Sequence, residues 1–89
     1  MGKNDLDSLR KDIAQIDDSI VELLVKRFSL TDEVGRIKNA SAIPIENLDI
    51  EKRTVERLVL NSVDKLDKQL VVEVYNTIFA NSKERQKKV

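Results

Sequence analysis

Apolar side chains recur along the first part of the chain in steps of three and four: Leu6, Leu9, Ile13, Ile16, Ile20 and Leu23, then Arg27, then Leu30, Val34 and Ile37. That spacing is one face of an α-helix. It predicts a single amphipathic helix over residues 6–38, with Asn4 or Asp5 as its N-cap and Asp7 as a carboxylate in its first turn. No proline interrupts the pattern, and Gly35 is its one helix-weakening residue. A helix of roughly 33 residues reaches about 50 Å. Its seven-residue recurrence is that of a coiled-coil seam, which asks for a partner along the whole length.

Residues 39–48 contain the only proline and read as a loop, with Asn47 or Asp49 placed to cap a second helix over residues 49–60. On that helix Glu51, Val55, Leu58 and Val59 share a face. A shorter connection, residues 61–65, leads to a third helix over residues 66–87. Its stripe is Leu70, Val71, Val74, Tyr75, Ile78 and Phe79, continued by Ser82 and Gln86, while the basic end 83–89 reads as frayed. The expected architecture is all-α: one long, one short and one medium helix in a single domain over residues 1–89. So short a chain has too little core for a monomer, and an intertwined helical homodimer supplies what is missing.

Composition narrows the chemistry. Lys+Arg 16 against Asp+Glu 16 leaves no net charge, so no diffuse field draws the chain onto nucleic acid or an acidic membrane. Cys and His are absent, which removes disulfides, thiol nucleophiles, imidazole bases and the usual transition-metal ligands. Neither a metal nor a cofactor is expected. The charged N-terminal residues do not form a signal peptide, Gly2 lacks the Ser or Thr at position 6 of a myristoylation pattern, and no apolar run approaches membrane length. A cytoplasmic protein is the expectation.

The candidate functional residues are polar side chains on apolar faces. Arg27 interrupts the long stripe, and a guanidinium is costly to bury without a partner; the pattern leaves open a polar layer that fixes register, an arginine whose stem packs while its head reaches solvent, or a contact to an anionic ligand. Lys38 follows Arg27 by close to three helical turns, so both project from nearly one face, about 16 Å apart. A small anion fits between two such long side chains, although Lys38 also suits the negative end of the helix dipole. Gly35 between them leaves room for a ligand or for a close helix contact. Arg10 lies about 25 Å before Arg27 on the axis, rotated by roughly 100°, and reaches the same place only from a second, antiparallel chain; by itself it reads as a solvated charge. Glu51 is an inward acid or a first-turn acid. Ser82 and Gln86, spaced i and i+4, are unremarkable singly at a helix end.

The run LRKDIAQIDDSIVELLVKRFSLTDEVGRIK, a loop with PI, then EKRTVERL and a helix ending SKERQ together resemble the all-helical class of chorismate mutases, over about residues 6–86. The resemblance implies an intertwined homodimer with two equivalent sites that convert chorismate to prephenate. It places Arg27, and Arg10 from the other chain, on the substrate carboxylates. Lys38 and Gln86 then donate to the ether oxygen, Glu51 with Asn47 meets the ring hydroxyl, and Ser82 borders the ring carboxylate. Two positions depart from the family pattern: Asn47 stands where an aspartate is common, and Ile50 where many members carry an arginine. Loss of that cation predicts weaker affinity or rate. Two other readings of the fold are an isochorismate pyruvate lyase and a non-catalytic dimer that binds a chorismate-like metabolite or a partner enzyme and regulates it.

Overall fold

A computed structural model describes residues 3–89, with side chains from Asp5 onward. Three helices follow one another: α1 (Lys3–Ala40), α2 (Leu48–Asn61) and α3 (Lys68–Gln86). No strand occurs among the described residues, and none of the helices there is long and apolar enough to cross a membrane. The all-α reading therefore holds. Its helix ends move by a few residues, each for a local reason.

At the N-terminus, α1 is already helical at Lys3, so Asp5 lies inside the first turn and does not cap it. Gly2 and the side chain of Asn4 lie outside the described residues. At the other end α1 continues past Lys38 to Ala40. Ala42, at φ 53, then turns the chain, and the Ile43 amide returns to Lys38 O at 2.8 Å. Asn47 (φ −137, ψ 91) is the cap of α2, its Oδ1 accepting from the Ile50 amide at 3.1 Å; Asp49 is instead a first-turn acid. Helix α3 starts two residues later than the hydrophobic pattern suggests. The amides of Lys65 and Leu66 both bond to Ser62 O at 3.0 Å, Asp64 turns at φ 64, and Asp67 is extended before the helix begins.

The chain divides into two compact units, residues 1–30 and 31–89. The first is the larger part of α1, and on it Leu6, Leu9, Ile13, Ile16, Ile20 and Leu23 are all exposed. The second contains the last turns of α1 with α2 and α3. Its buried apolar residues are Val71 and Phe79, and the Tyr75 ring meets Phe79 edge-on, with centroids 5.7 Å apart and planes at 65°. From α2, Glu51, Val55, Leu58 and Val59 are half-buried, the face expected of them. On α3 the inward line is Val71, Phe79, Ser82 and Gln86, whereas Leu70 and Val74 remain exposed. Burial thus shifts along α3 from apolar residues to polar ones.

That shift has a cause in how the last turns of α1 meet the last turns of α3. Asp32 accepts two bonds from Arg85, at 2.7 Å from Nη2 and 3.1 Å from Nε. Gly35 is buried against Gln86, and Asn39 Nδ2 donates to Gln86 O at 2.8 Å and Val89 O at 2.7 Å. The fraying expected of residues 83–89 is therefore corrected: α3 is regular to Gln86, where the Gln86 carbonyl, the Val89 carbonyl beyond it and Arg85 find partners on α1. The α1 residues used are polar or small, while Leu30, Val34 and Ile37 stay exposed.

Hydrogen bonding from Arg85, reinforced by its charge and that of Arg36, holds the Asp32 carboxyl below its ordinary value. A carboxyl with a lowered folded-state pKa contributes stability that is present above the unfolded value and lost as pH falls through the folded one. Asp32→Asn should therefore unfold at lower urea than the wild type at neutral pH. The two midpoints should converge as the pH drops below the carboxylate range; a difference that persists in acid would show that Asp32 acts by something other than its charge.

Candidate functional site

Five of the seven residues singled out by the sequence lie in the unit formed by residues 31–89: Lys38, Asn47, Glu51, Ser82 and Gln86. Arg10 and Arg27 lie on the preceding stretch of α1, Arg10 exposed and Arg27 half-buried.

Lys38 is half-buried in the last turn of α1, and its Nζ donates to Ile45 O at 3.1 Å. An ammonium has three N–H donors, so the bond anchors it to the loop without exhausting it. Its neighbour Asn39 holds Gln86 O, and Gly35, one turn earlier, touches the Gln86 side chain. Lys38 and Gln86 are thereby tied to adjoining elements. The alternative for Gly35 is decided too: the position serves a close helix contact. A Cβ built there falls 2.8 Å from both Cβ and Cγ of Gln86 and 2.9 Å from its Cα.

Ser82 and Gln86 are the two buried polar residues of α3, at 4% and 6% exposure. Gln86 Nε2 lies 3.0 Å from Ser82 Oγ, while Gln86 Oε1 is buried and accepts from no described group. A buried amide oxygen left unsatisfied is costly. Rotating the amide by half a turn exchanges the roles: the Ser82 hydroxyl then donates to Oε1, and Nε2 is released as a donor. Either orientation leaves one polar atom of this amide ready for a ligand.

On α2, Asn47 is spent as the cap, and Glu51 enters half-buried from the first turn. Its carboxylate is met by the ammonium of Lys83, from the stretch 83–89 whose basic composition suggests fraying. Lys83 Nζ stands 3.2 Å from Glu51 Oε2 and 3.0 Å from Glu46 Oε1. The hydrogen bond to Glu46 chiefly, then that to Glu51, raises the Lys83 pKa against an opposing effect of burial. Ile50, Lys52 and Arg53 are exposed. The only sequence signal for Lys83 is its place directly after Ser82 on an inward-facing helix.

Lys38, Ser82 and Gln86 offer donors and Glu51 a carboxylate, in a chain with no thiol or imidazole. Such a site orients an oxygen-rich anion and stabilises charge that develops on it. The sequence profile of chorismate mutase type II matches residues 9–87 of the chain. The chain belongs to that family. It is 31% identical over 83 residues to the chorismate mutase of Methanocaldococcus jannaschii, covering 92% of this chain and 84% of that protein. It is also 32% identical over 81 residues to the bifunctional chorismate mutase/prephenate dehydratase of Escherichia coli (strain K12). The protein of the same description in Buchnera aphidicola subsp. Schizaphis graminum is 34% identical over 88 residues. Of those two longer relatives the chain spans 21% and 23% of the length.

Within this chorismate mutase-type domain the contact at Gly35 sets where the Gln86 amide stands. Gly35→Ala forces Gln86 or the helix axes apart, and overpacking of this kind costs about 1–3 kcal/mol. A urea titration should show a lower midpoint with an unchanged slope; an unshifted midpoint would mean that the two helices are free to separate there.

Proposed function

We propose that the chain catalyses the chorismate mutase reaction, the rearrangement of chorismate to prephenate on the way to phenylalanine and tyrosine. The observation that carries this reading is the family match across residues 9–87. The retained Arg10, Arg27, Lys38, Glu51, Ser82 and Gln86 support it, since each is of a type the reaction uses.

The rearrangement is intramolecular: a carbon–oxygen bond breaks as a carbon–carbon bond forms, and no nucleophile, metal or redox group takes part. As the ether bond breaks, negative charge grows on its oxygen. The Lys38 ammonium, anchored by Ile45 O with donors to spare, and Gln86 Nε2, once its amide is turned, donate to that oxygen. Donors fixed where charge develops bind the transition state more tightly than the substrate. Arg27 and a second arginine hold the two carboxylates in the compact conformer, which lowers the entropic part of the barrier. Glu51 accepts from the ring hydroxyl, beside the α2 cap at Asn47, and Ser82 borders the ring carboxylate.

The second arginine is Arg10 of another copy. An intertwined homodimer is proposed because α1 presents Leu6, Leu9, Ile13, Ile16, Ile20 and Leu23 uncovered along one face. A continuous apolar stripe of that length calls for a covering surface, and an identical antiparallel α1 offers one that also carries Arg10. Residues 1–89 then act as one domain, with the site completed by both copies.

Spectroscopic loss of chorismate with formation of prephenate, read together with the mass in solution, tests the reading. Wild-type protein should be a dimer with turnover well above the uncatalysed rate. Arg27→Ala should lower kcat/KM by about a hundredfold or more with the dimer intact. Retained activity in that variant would move the site elsewhere. Release of pyruvate from isochorismate would favour a lyase, and chorismate binding without turnover a regulatory role.

A further inference from the structure

The two carboxylates at the start of α2 and its preceding loop share one cation, and it comes from α3. Lys83 Nζ reaches Glu46 Oε1 at 3.0 Å and both oxygens of Glu51, at 3.3 Å from Oε1 and 3.2 Å from Oε2. The Lys83 and Glu51 side chains retain 25% and 21% of their exposure, whereas Glu46 retains 59%. The Glu51 half of this arrangement is thus the shielded one, where solvent and salt weaken the interaction least. On its own helix Glu51 is preceded by the apolar Ile50 and followed by Lys52 and Arg53, both of which face solvent. Lys83, in turn, directly follows Ser82 and lies one turn before Gln86.

This placement gives the ammonium two effects. It fixes the rotamer of Glu51, because an ammonium straddling both carboxylate oxygens restricts the side chain more than a single-oxygen contact. It also offsets the charge of the Glu46–Glu51 pair, which would otherwise repel an incoming dianion. The ion pairs keep Lys83 protonated, since Glu46 and Glu51 both raise its pKa.

We infer that Lys83 is a positioning residue for the chorismate mutase reaction: from α3 it orients Glu51 toward the ring hydroxyl and offsets part of the charge of the Glu46–Glu51 pair, so that a dicarboxylate substrate is admitted. The inference rests on the proposed reaction and gives it a determinant of substrate affinity that lies outside the set of residues in contact with substrate. Electrostatic complementarity of this kind acts on binding more than on the chemical step.

The test is a double-mutant cycle on the full chain with Lys83→Met, Lys83→Arg, Glu51→Gln and Lys83→Met/Glu51→Gln, each read by steady-state kinetics and by calorimetric titration with chorismate. Lys83→Met should raise KM and Kd by roughly fivefold, with kcat changed by less, and the increase should narrow at higher ionic strength. Lys83→Arg should recover most of the loss. In the Glu51→Gln background the same substitution should cost clearly less, because its partner is already gone. Unchanged KM and Kd in Lys83→Met, strict additivity in the double variant, or failure of arginine to rescue would each overturn the inference. If wild-type protein binds chorismate without converting it, the reaction fails, and the Kd values alone decide the role of Lys83. If it does not bind chorismate at all, both fall.

Discussion

The close approach of Gly35 of α1 to the Cα, Cβ and Cγ of Gln86 of α3 is the contact around which the polar groups of the second unit are arranged. Only a residue without a Cβ lets the two helices come so near, and at that distance the polar groups flanking it are brought within bonding range. Asp32 and Arg85 lie about one turn to one side of Gly35, Asn39 and the Gln86 carbonyl about one turn to the other. Across this seam, steric fit at the glycine is flanked by hydrogen bonds on both sides. The residue set against the glycine is Gln86, whose amide neighbours Ser82 and whose helix carries Lys83.

Polarity is organised locally in a chain with no net charge. Three cations of the second unit have distinct tasks: Arg85 closes the seam on Asp32, Lys38 is drawn back to the loop carbonyl of Ile45, and Lys83 bridges Glu46 and Glu51. Each side chain is oriented by a partner from another element, so the polar groups are held before any ligand arrives. Preorganisation of that kind is what a reaction without nucleophile or cofactor requires.

Helix α1 also uses two faces for two purposes. Near its end the face of Asp32 and Gly35 meets α3, while the apolar stripe that continues through Leu30, Val34 and Ile37 is left exposed. A helix that turned its apolar stripe inward would have nothing to offer another chain. The stripe is exposed at Leu6, Leu9, Ile13, Ile16, Ile20 and Leu23 as well.

The helices themselves were legible in the residues, because the spacing of Leu and Ile along α1 and of Glu51, Val55, Leu58 and Val59 along α2 is a local property that periodicity reads directly. Family membership was legible for a similar reason: the identities and spacing that carry it run continuously through the chain. Long-range pairing was not. That Gly35 is filled by Gln86, that the tail from Lys83 onward is a structured helix end, and that Lys83 belongs with Glu46 and Glu51 all depend on contacts between residues more than thirty positions apart, as the 32-residue separation of Lys83 and Glu51 shows. Amphipathic periodicity places each helix in one dimension and says nothing of which residues on another helix it meets. The sequence by itself determined which segments are helical and that Glu51, Ser82 and Gln86 lie on the less exposed faces of their helices; only the tertiary structure decided their partners, because those are set by the distance at which two backbones can approach, and here that distance is fixed by the missing side chain of a glycine.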